Sequence, residues 1–170
     1  MMDSLTHPDL SQIRSWLGEV PDPEVPAVSV MDLGIVREVQ WEEGELVVAI
    51  TPTYSGCPAT SVIAIEIEAA LRAKGIERVR IERRLSPPWT TDWITPEGRQ
   101  KLEAYGIAPP AEIAGGPSPF ERFLRKPPAI ACPRCKSVNT HRVSEFGSTP
   151  CKAQYQCRDC LEPFDYFKCI

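Results

Sequence analysis

Three segments of the chain carry apolar residues at the spacing of an amphipathic helix. The segment 10–17 places them on one side of a short helix that must end before Pro21. The segment 58–74 repeats the pattern over four turns, and Gly75 is a natural stop. A shorter helix is predicted over 96–105. The helical part of the fold is therefore predicted to be small and discontinuous.

Three other segments are predicted to be strands, and the last of them alternates cleanly between apolar and polar residues. These are 35–41, 45–51 and 78–82. Glu43 and Gly44 separate the first two, which predicts a tight turn and an antiparallel hairpin. Together with the helices, this pattern predicts an α+β fold with a small sheet of about three strands and helices packed on one face.

Proline divides the chain into parts. It supplies 18 of the 170 residues and is concentrated between 107 and 131, where neither a continuous helix nor a central strand can form. We predict a first domain over 1–106, a proline-rich linker over 107–131 with one helical turn at 120–124, and a cysteine-rich domain over 132–170.

Charge and hydropathy exclude several classes of protein. The formal net charge is −4, and no run of about 18 apolar residues exists to cross a membrane. The first ten residues lack the basic and then apolar pattern of a signal peptide. We therefore expect a cytoplasmic protein without membrane or nucleic-acid partners. In that compartment thiols stay reduced, so seven cysteines indicate metal ligands or reactive groups more than disulfides.

Four cysteines form two C-x-x-C pairs near the end of the chain. Cys132 and Cys135 make the first pair, and Cys157 and Cys160 follow after 21 intervening residues. Four thiolates from two tight turns suit the tetrahedral shell of zinc. This predicts a C-terminal zinc-ribbon-like domain with a structural zinc, and Leu161, where many ribbons have glycine, could strain the second turn. The alternatives are an iron–sulfur cluster at the same thiolates, or cysteines packed as small apolar residues.

Two cysteines of the same region remain outside these pairs. Cys151 and Cys169 are candidate auxiliary thiols, either buried small residues near the metal or a second set that holds or passes metal. Nucleic-acid binding, a common use of ribbons, is disfavoured because the basic residues are scattered among acidic ones.

Cys57 is the only cysteine of the first domain. It follows a predicted strand and precedes Pro58, which is well suited to the first helical position, so Cys57 is predicted to be the N-cap. A thiol there faces unpaired backbone N–H groups and the positive end of the helix, which lowers its pKa. The alternative is a helix start whose cysteine is incidental, since Ser, Thr, Asp and Asn are the preferred caps.

An acidic loop supplies the second candidate group. Asp22 and Glu24 alternate with three prolines between 21 and 26, and their carboxylates could meet a metal or orient a thiol. A solvated loop that ends the first helix is the simpler alternative. No catalytic residue is assigned, because neither His7 nor His141 is near Cys57 in sequence.

Three motifs in the first domain resemble the SUF-associated metal–sulfur cluster assembly domain family. They are D-P-E-x-P at 22–26, D-L-G-x-V at 32–36 and T-P-T-x-x-x-C-P at 51–58. The resemblance implies a small α+β domain that binds or hands over a transient iron–sulfur cluster or iron. It assigns the cluster-transfer or metal-exchange role to Cys57 and, more weakly, to Asp22 and Glu24.

Four later segments resemble the D-subunit family of phenylacetyl-CoA epoxidases, also called the J-subunit family. They are 87–94, 105–110, 144–153 and 162–169, so the similarity spans nearly the whole chain and its ribbon. It implies an accessory or maturation factor in aerobic phenylacetate degradation. The implied partners are the di-iron oxygenase and the flavin and iron–sulfur reductase subunits of the epoxidase, and the iron–sulfur assembly machinery.

Catalysis by this chain itself is not expected. It lacks the paired carboxylate and histidine motifs of a di-iron site and the G-x-G-x-x-G fingerprint of a dinucleotide site. Two alternatives stay open beside assembly of iron–sulfur or di-iron centres. One is a stably bound structural subunit of the epoxidase without transfer activity, and the other is a ribbon-based nucleic-acid regulator.

Overall fold

The computed structural model describes residues 7–110 and 129–168, which belong to two compact units. The first unit ends at Trp89, and the second begins at Thr90. Within the described ranges, no helix combines the length and the apolar character that a bilayer crossing requires.

The first unit is an α+β fold, as predicted. Its elements in chain order are α1 (Leu10–Leu17), β1 (Val36–Glu42), β2 (Glu45–Ile50), α2 (Ala59–Ala73) and β3 (Val79–Arg83). The sheet has the order β1-β2-β3, with β1 antiparallel and β3 parallel to β2. Because β2 and β3 are parallel, α2 serves as the crossover between them. Cys57 therefore lies at the start of this crossover.

Two glycines set the chain reversals that the sequence predicts. Glu43 and Gly44 have φ values of 47° and 77°, so both central residues of the two-residue hairpin turn are left-handed, as in a type I′ turn. Gly75 follows the C-cap of α2 with φ of 90°, a conformation in which glycine has no steric penalty. The predicted hairpin and the predicted stop of the long helix are both confirmed.

The central strand of the first sheet is buried on both faces. Leu46, Val48 and Ile50 point to one side, and Val47 and Ala49, each 1% exposed, point to the other. On the second side Arg80 and Arg84 form ion pairs with acidic residues of all three strands, namely Glu38, Glu42, Glu45 and Glu82. The ion-pair network thus covers the side of the sheet that carries Val47 and Ala49. The sequence predicts helices on one face of the sheet only, and the network lies on the other face.

The second unit is built around a four-stranded sheet. Its elements are α3 (Pro96–Ala104), β4 (Ile107–Ala108), β5 (Thr140–Ser144), β6 (Lys152–Cys157) and β7 (Pro163–Phe167). The sheet has the order β4-β7-β6-β5, in which only the β4–β7 pair is parallel. The hairpin β5–β6 connects the two C-x-x-C pairs, as expected for a ribbon.

The division of the chain differs from the predicted boundary at 106. Ile107 and Ala108 pair with Asp165 and Tyr166 of β7, so residues assigned to the linker are part of the second sheet. Helix α3 lies in the same unit. The packing boundary consequently falls after Trp89. Residues 111–128, including the predicted turn at 120–124, lie outside the described part of the chain.

Aromatic side chains form the small core of the ribbon. Tyr155 stacks on Phe164 with ring centroids 5.9 Å apart and meets Tyr166 edge-on at 5.6 Å. Ile130 and Ala153 are buried in the same cluster, beside the cysteines. The core is too small to stabilise a domain of this size alone, so a bound metal is the expected source of additional stability.

Candidate metal-handling sites

Cys57 lies in the loop that joins β2 to α2, but it is not the N-cap. Pro58 has helical dihedrals (φ −68°, ψ −25°) and occupies the cap, and the helix begins at Ala59. The backbone of Cys57 also contacts the helix, because its carbonyl accepts hydrogen bonds from the N–H and the hydroxyl of Thr60, at 3.3 and 2.9 Å. The prediction that Cys57 is the N-cap residue is therefore wrong, although its thiol does face the backbone N–H of Ala59 in the first turn.

The electrostatic surroundings of the Cys57 thiol also differ from the prediction. The residue is only 9% exposed, and its burial raises the pKa of the thiol above its ordinary value of 9.0. The backbone N–H of Ala59 acts in the opposite direction, while the negative charges of Glu24 and Asp22 add to the increase. At neutral pH the Cys57 side chain is therefore a protonated thiol and not the predicted thiolate. The desolvation that raises its pKa outweighs the effect of the helix N-terminus, which lowers it.

The buried side chain of Asp22 accepts hydrogen bonds from the backbone of the acidic loop. It is 6% exposed, and its Oδ1 accepts the backbone N–H groups of Glu24 and Val25 at 2.9 and 2.8 Å. Its own N–H donates to the carbonyl of Val28 at 2.8 Å. The carboxylate predicted to meet a metal therefore holds the turn, and a role in metal exchange stays a prediction for both acidic residues.

The carboxylates of this loop are close enough to influence the Cys57 thiol but do not complete a metal site with it. Among residues 7–110, no three His, Cys, Asp or Glu side chains bring their ligand atoms together as the ribbon cysteines do. The structure therefore brings Cys57, Asp22 and Glu24 into one neighbourhood without a ligand set.

Replacing Glu24 with Gln is expected to speed the alkylation of Cys57. Removing the negative charge stabilises the thiolate, so the pKa of Cys57 falls and more thiolate is present at pH 7.5. We expect an increase of about two- to three-fold in the iodoacetamide rate, measured by mass spectrometry of the peptide across pH 7–10. Glu19→Gln, which follows the end of α1, is the control. Superimposable pH profiles of Glu24→Gln and the unmodified protein would contradict the electrostatic coupling.

Two contacts of the Cys57 loop were not predicted from the sequence. A Cβ at Gly56 would lie 3.2 Å from Cε2 of Tyr54, so the tyrosine ring occupies the space beside this glycine. Arg83, at the end of β3, donates from Nη2 to the carbonyl of Ser55 at 2.6 Å. Only the parallel pairing of β3 with β2 brings this arginine to the loop.

The four ribbon cysteines converge on one point. The Sγ atoms of Cys132 and Cys160 are 3.7 Å apart, those of Cys135 and Cys157 are 3.6 Å apart, and all four lie within 4.8 Å of one another. A tetrahedron with zinc–sulfur bonds of about 2.3 Å has sulfur–sulfur edges of about 3.8 Å. Two of the six sulfur–sulfur distances match this edge, so the donor set suits zinc, and its four thiolates leave no open position for catalysis.

Backbone N–H groups are directed at three of these sulfurs, and that of Glu162 faces Cys160. Those of Cys160 and Asp159 lower the pKa of Cys157 to about 7. The N–H of Ser137 acts in the same direction on Cys135, but the adjoining sulfurs and desolvation raise the pKa of that thiol to about 12. Four thiolates at this separation repel one another, so their joint ionisation requires a cation at the centre.

Both cysteine turns contain a residue in the left-handed conformation. Lys136 and Leu161, which directly follow the second cysteine of each pair, have φ values of 63°. Such a conformation costs a non-glycine residue about 1–2 kcal/mol. The strain expected at Leu161 is confirmed, and the turn of Lys136 shares it.

Substituting Leu161 by glycine is expected to stabilise the second unit. Leu161 is 68% exposed and loses little packing, whereas glycine relieves the left-handed strain, for a net gain of about 0.5–1 kcal/mol. Urea unfolding of the zinc-loaded protein measures it. Val138→Gly, at a 62% exposed position without positive φ, should be destabilising. A loss of stability in Leu161→Gly comparable to that control would contradict the strain argument.

Cys151, the auxiliary thiol within the described residues, does not join the four-cysteine group. Cys151 is 3% exposed, and its Sγ lies 3.0 Å from the hydroxyl of Thr149. It is absent from the set of converging sulfurs among the described residues. Cys169 lies outside the described part of the chain.

Each of the two units contains a segment that matches a known protein family. The family described as iron-sulfur cluster assembly protein matches residues 10–82, and the family described as PaaD zinc beta ribbon domain matches residues 117–168. A protein of Escherichia coli (strain K12), named provisionally as the D-subunit of 1,2-phenylacetyl-CoA epoxidase, is 48% identical over 168 residues, which cover 98% of this chain and 97% of the relative. The chain belongs to the phenylacetyl-CoA epoxidase D-subunit family.

Two further similarities concern the first unit of this D-subunit family member. The Fe-S protein maturation auxiliary factor YitW of Bacillus subtilis (strain 168) is 33% identical over 82 residues, covering 47% of this chain and 79% of the relative. A domain of unknown function, DUF59, from Bacillus anthracis has a TM-score of 0.50 at 24% identity, covering 54% of this chain and 89% of that domain. The second comparison shows the fold alone, and it agrees with the α+β architecture.

The ribbon match and the converging sulfurs together support zinc binding by the second unit. Both resemblances seen in the sequence are confirmed at the level of family. The D-subunit family thus combines an iron–sulfur assembly domain and a zinc ribbon in one chain.

Proposed function

We propose that this chain is an accessory factor that assembles or maintains the metal centres of a phenylacetyl-CoA epoxidase. Cys57 acts as the exchange ligand for iron or an iron–sulfur cluster, with Asp22 and Glu24 beside it. Cys132, Cys135, Cys157 and Cys160 hold a zinc that stabilises the ribbon, which serves as a docking module for the partner subunits.

The position of Cys57 carries the proposal. It is the one cysteine of an iron–sulfur assembly domain, and it lies at the corner between the central strand and the crossover helix. Exposed residues flank it on both sides, at Ser55, Gly56 and Pro58. In the proposed transfer this loop moves to expose the thiol. Metal binding then displaces the proton that burial retains.

The ligands of the cargo have to come partly from outside this domain. One thiolate supplies a single ligand, whereas an iron–sulfur cluster requires four. The partner that gives or receives the metal therefore supplies the others in a transient shared site. This arrangement favours release over storage, as a transfer factor requires.

The test compares iron loading of the partner subunits. The oxygenase and the reductase are produced with this chain or with its Cys57→Ser variant, and their iron and sulfide are measured after anaerobic purification. We expect a loss of most of the iron from at least one partner, while the variant itself unfolds at an unchanged urea concentration. Cys151→Ser, at a buried cysteine outside the proposed exchange site, should leave the loading unchanged. Full loading with Cys57→Ser would eliminate the transfer role.

A structural subunit is the second candidate function, and the name of the Escherichia coli relative favours it. In that case the chain remains bound to the purified epoxidase in a fixed ratio, and Cys57→Ser changes neither complex formation nor iron content. Size-exclusion chromatography of the co-produced subunits separates the two functions. Persistent absence of the chain from the purified oxygenase would count against this candidate.

A further inference from the structure

Asp159 connects the two cysteine turns of the ribbon. It lies between the cysteines of the second turn, and its carboxylate accepts a hydrogen bond from the hydroxyl of Ser137 and one of 2.7 Å from Nδ2 of Asn139. Both donors follow the first turn. The backbone repeats the connection, because the N–H of Arg158 donates to the carbonyl of Asn139 at 2.8 Å.

Two of the residues joined in this way have N–H groups that face the sulfurs. The N–H of Asp159 is directed at Cys157, and that of Ser137 at Cys135. The carbonyl of Ser137 also accepts the N–H of Cys132 at 2.9 Å. The carboxylate of Asp159 therefore fixes the backbone that positions ligands of both turns.

We propose that Asp159 is a positioning residue for the zinc site, which holds the two cysteine turns together through Ser137 and Asn139 and thereby slows loss of the metal. Outer partners of metal ligands of this kind change metal affinity by about 10- to 100-fold. The inference concerns the ribbon zinc and does not depend on the iron-transfer role of Cys57.

An ion pair across the same two turns provides a matched control. Nη1 of Arg134, in the first turn, contacts Oε2 of Glu162, which follows the second turn, at 2.5 Å, with both side chains exposed. Exposed pairs of this kind contribute about 0–1 kcal/mol. Glu162→Gln changes only the side chain, whose carboxylate makes no hydrogen bond to Ser137 or Asn139, and keeps the backbone N–H that faces Cys160. It therefore separates positioning of the sulfurs by Asp159 from simple linkage of the turns.

The experiment measures transfer of zinc from the full-length protein to a chromogenic chelator. Asp159→Ala should lose zinc about 10- to 100-fold faster, and Glu162→Gln should stay within about two-fold of the unmodified protein. If Asp159→Ala cannot be loaded, Asp159→Asn, which keeps one acceptor oxygen, should lose zinc at an intermediate rate. An unchanged rate in Asp159→Ala, or an equal acceleration in Glu162→Gln, would overturn the proposal.

Substitution of zinc by cobalt provides a second measurement, the energy of the charge-transfer band, which a general loosening of the fold would not change. When an N–H bond to a sulfur weakens, the thiolate becomes a stronger donor, and its charge-transfer band to cobalt shifts to lower energy. We expect this shift in Asp159→Ala and Asp159→Asn but not in Glu162→Gln. A spectrum identical to that of the unmodified protein in all three variants would show that Asp159 does not act on the ligands.

Discussion

Removal of zinc is expected to unfold the second unit while the first unit keeps its structure. Structural zinc in small domains contributes about 10 kcal/mol or more to folding, far more than the core around Phe164 and Tyr166 supplies. Without the cation, four sulfurs within 4.8 Å cannot all be ionised, and the two cysteine turns lose the interaction that closes them. The first unit has its own buried core of α1, α2 and β1–β3, and its described residues contain no comparable group of metal ligands.

Hydrogen exchange followed by mass spectrometry checks this expectation. After chelation of zinc, the amides of β5, β6 and β7 should exchange within seconds, whereas those of β2 and α2 should retain their protection. Cys157→Ser should reproduce the result without a chelator, because a hydroxyl does not replace a thiolate ligand. Cys151→Ser is the matched control and should keep both its zinc and its protection. Ribbon amides that stay protected after metal analysis has shown complete removal of zinc would contradict the metal-dependent core.

Replacement of Asp22 by alanine is expected to destabilise the first unit by about 2–4 kcal/mol. The substitution removes the acceptor of two backbone N–H groups, those of Glu24 and Val25, and each such loss costs about 1–3 kcal/mol when the donor is buried. Urea unfolding measured by tryptophan fluorescence, to which Trp16, Trp41 and the buried Trp89 of the first unit contribute, reports the change. The effect should be far larger than that of an average surface substitution.

Asp22→Asn is the control that tests this account of the acidic loop. The amide retains an oxygen at the position of Oδ1, so it can still accept both N–H groups, and the loss should be under about 1.5 kcal/mol. It also removes one of the negative charges that raise the pKa of Cys57. Equal losses in Asp22→Ala and Asp22→Asn would show that the charge, and not the pair of hydrogen bonds, stabilises the loop.

Local patterns predicted most of the fold because they report local geometry. The spacing of apolar residues in α2, the glycines at 44 and 75, and the apolar run of β2 each depend on neighbours a few residues away. Two C-x-x-C pairs are local as well, since each turn forms within four residues. Their spacing was sufficient to predict the ribbon, and the convergence of the four sulfurs agrees with it.

Long-range contacts decided what the sequence could not. Strand β4 forms because Ile107 and Ala108 pair with β7, which lies more than fifty residues later in the chain. With this pairing the boundary between the units lies after Trp89 and not in the proline-rich segment. The contact between Arg83 and the Cys57 loop depends in the same way on the register of β3 with β2. No periodicity encodes such a pairing, because the partner residues are separated along the chain.

By itself, the sequence determined the α+β class, the ribbon with its four thiols, and the choice of Cys57 as the candidate exchange ligand. Only the tertiary structure decided the state of that ligand, which is a buried, protonated thiol just before the helix cap and not an exposed thiolate at the cap. The physical reason is that a pKa depends on how much water surrounds the thiol and on charges such as Glu24, and both are set by residues brought together from distant parts of the chain.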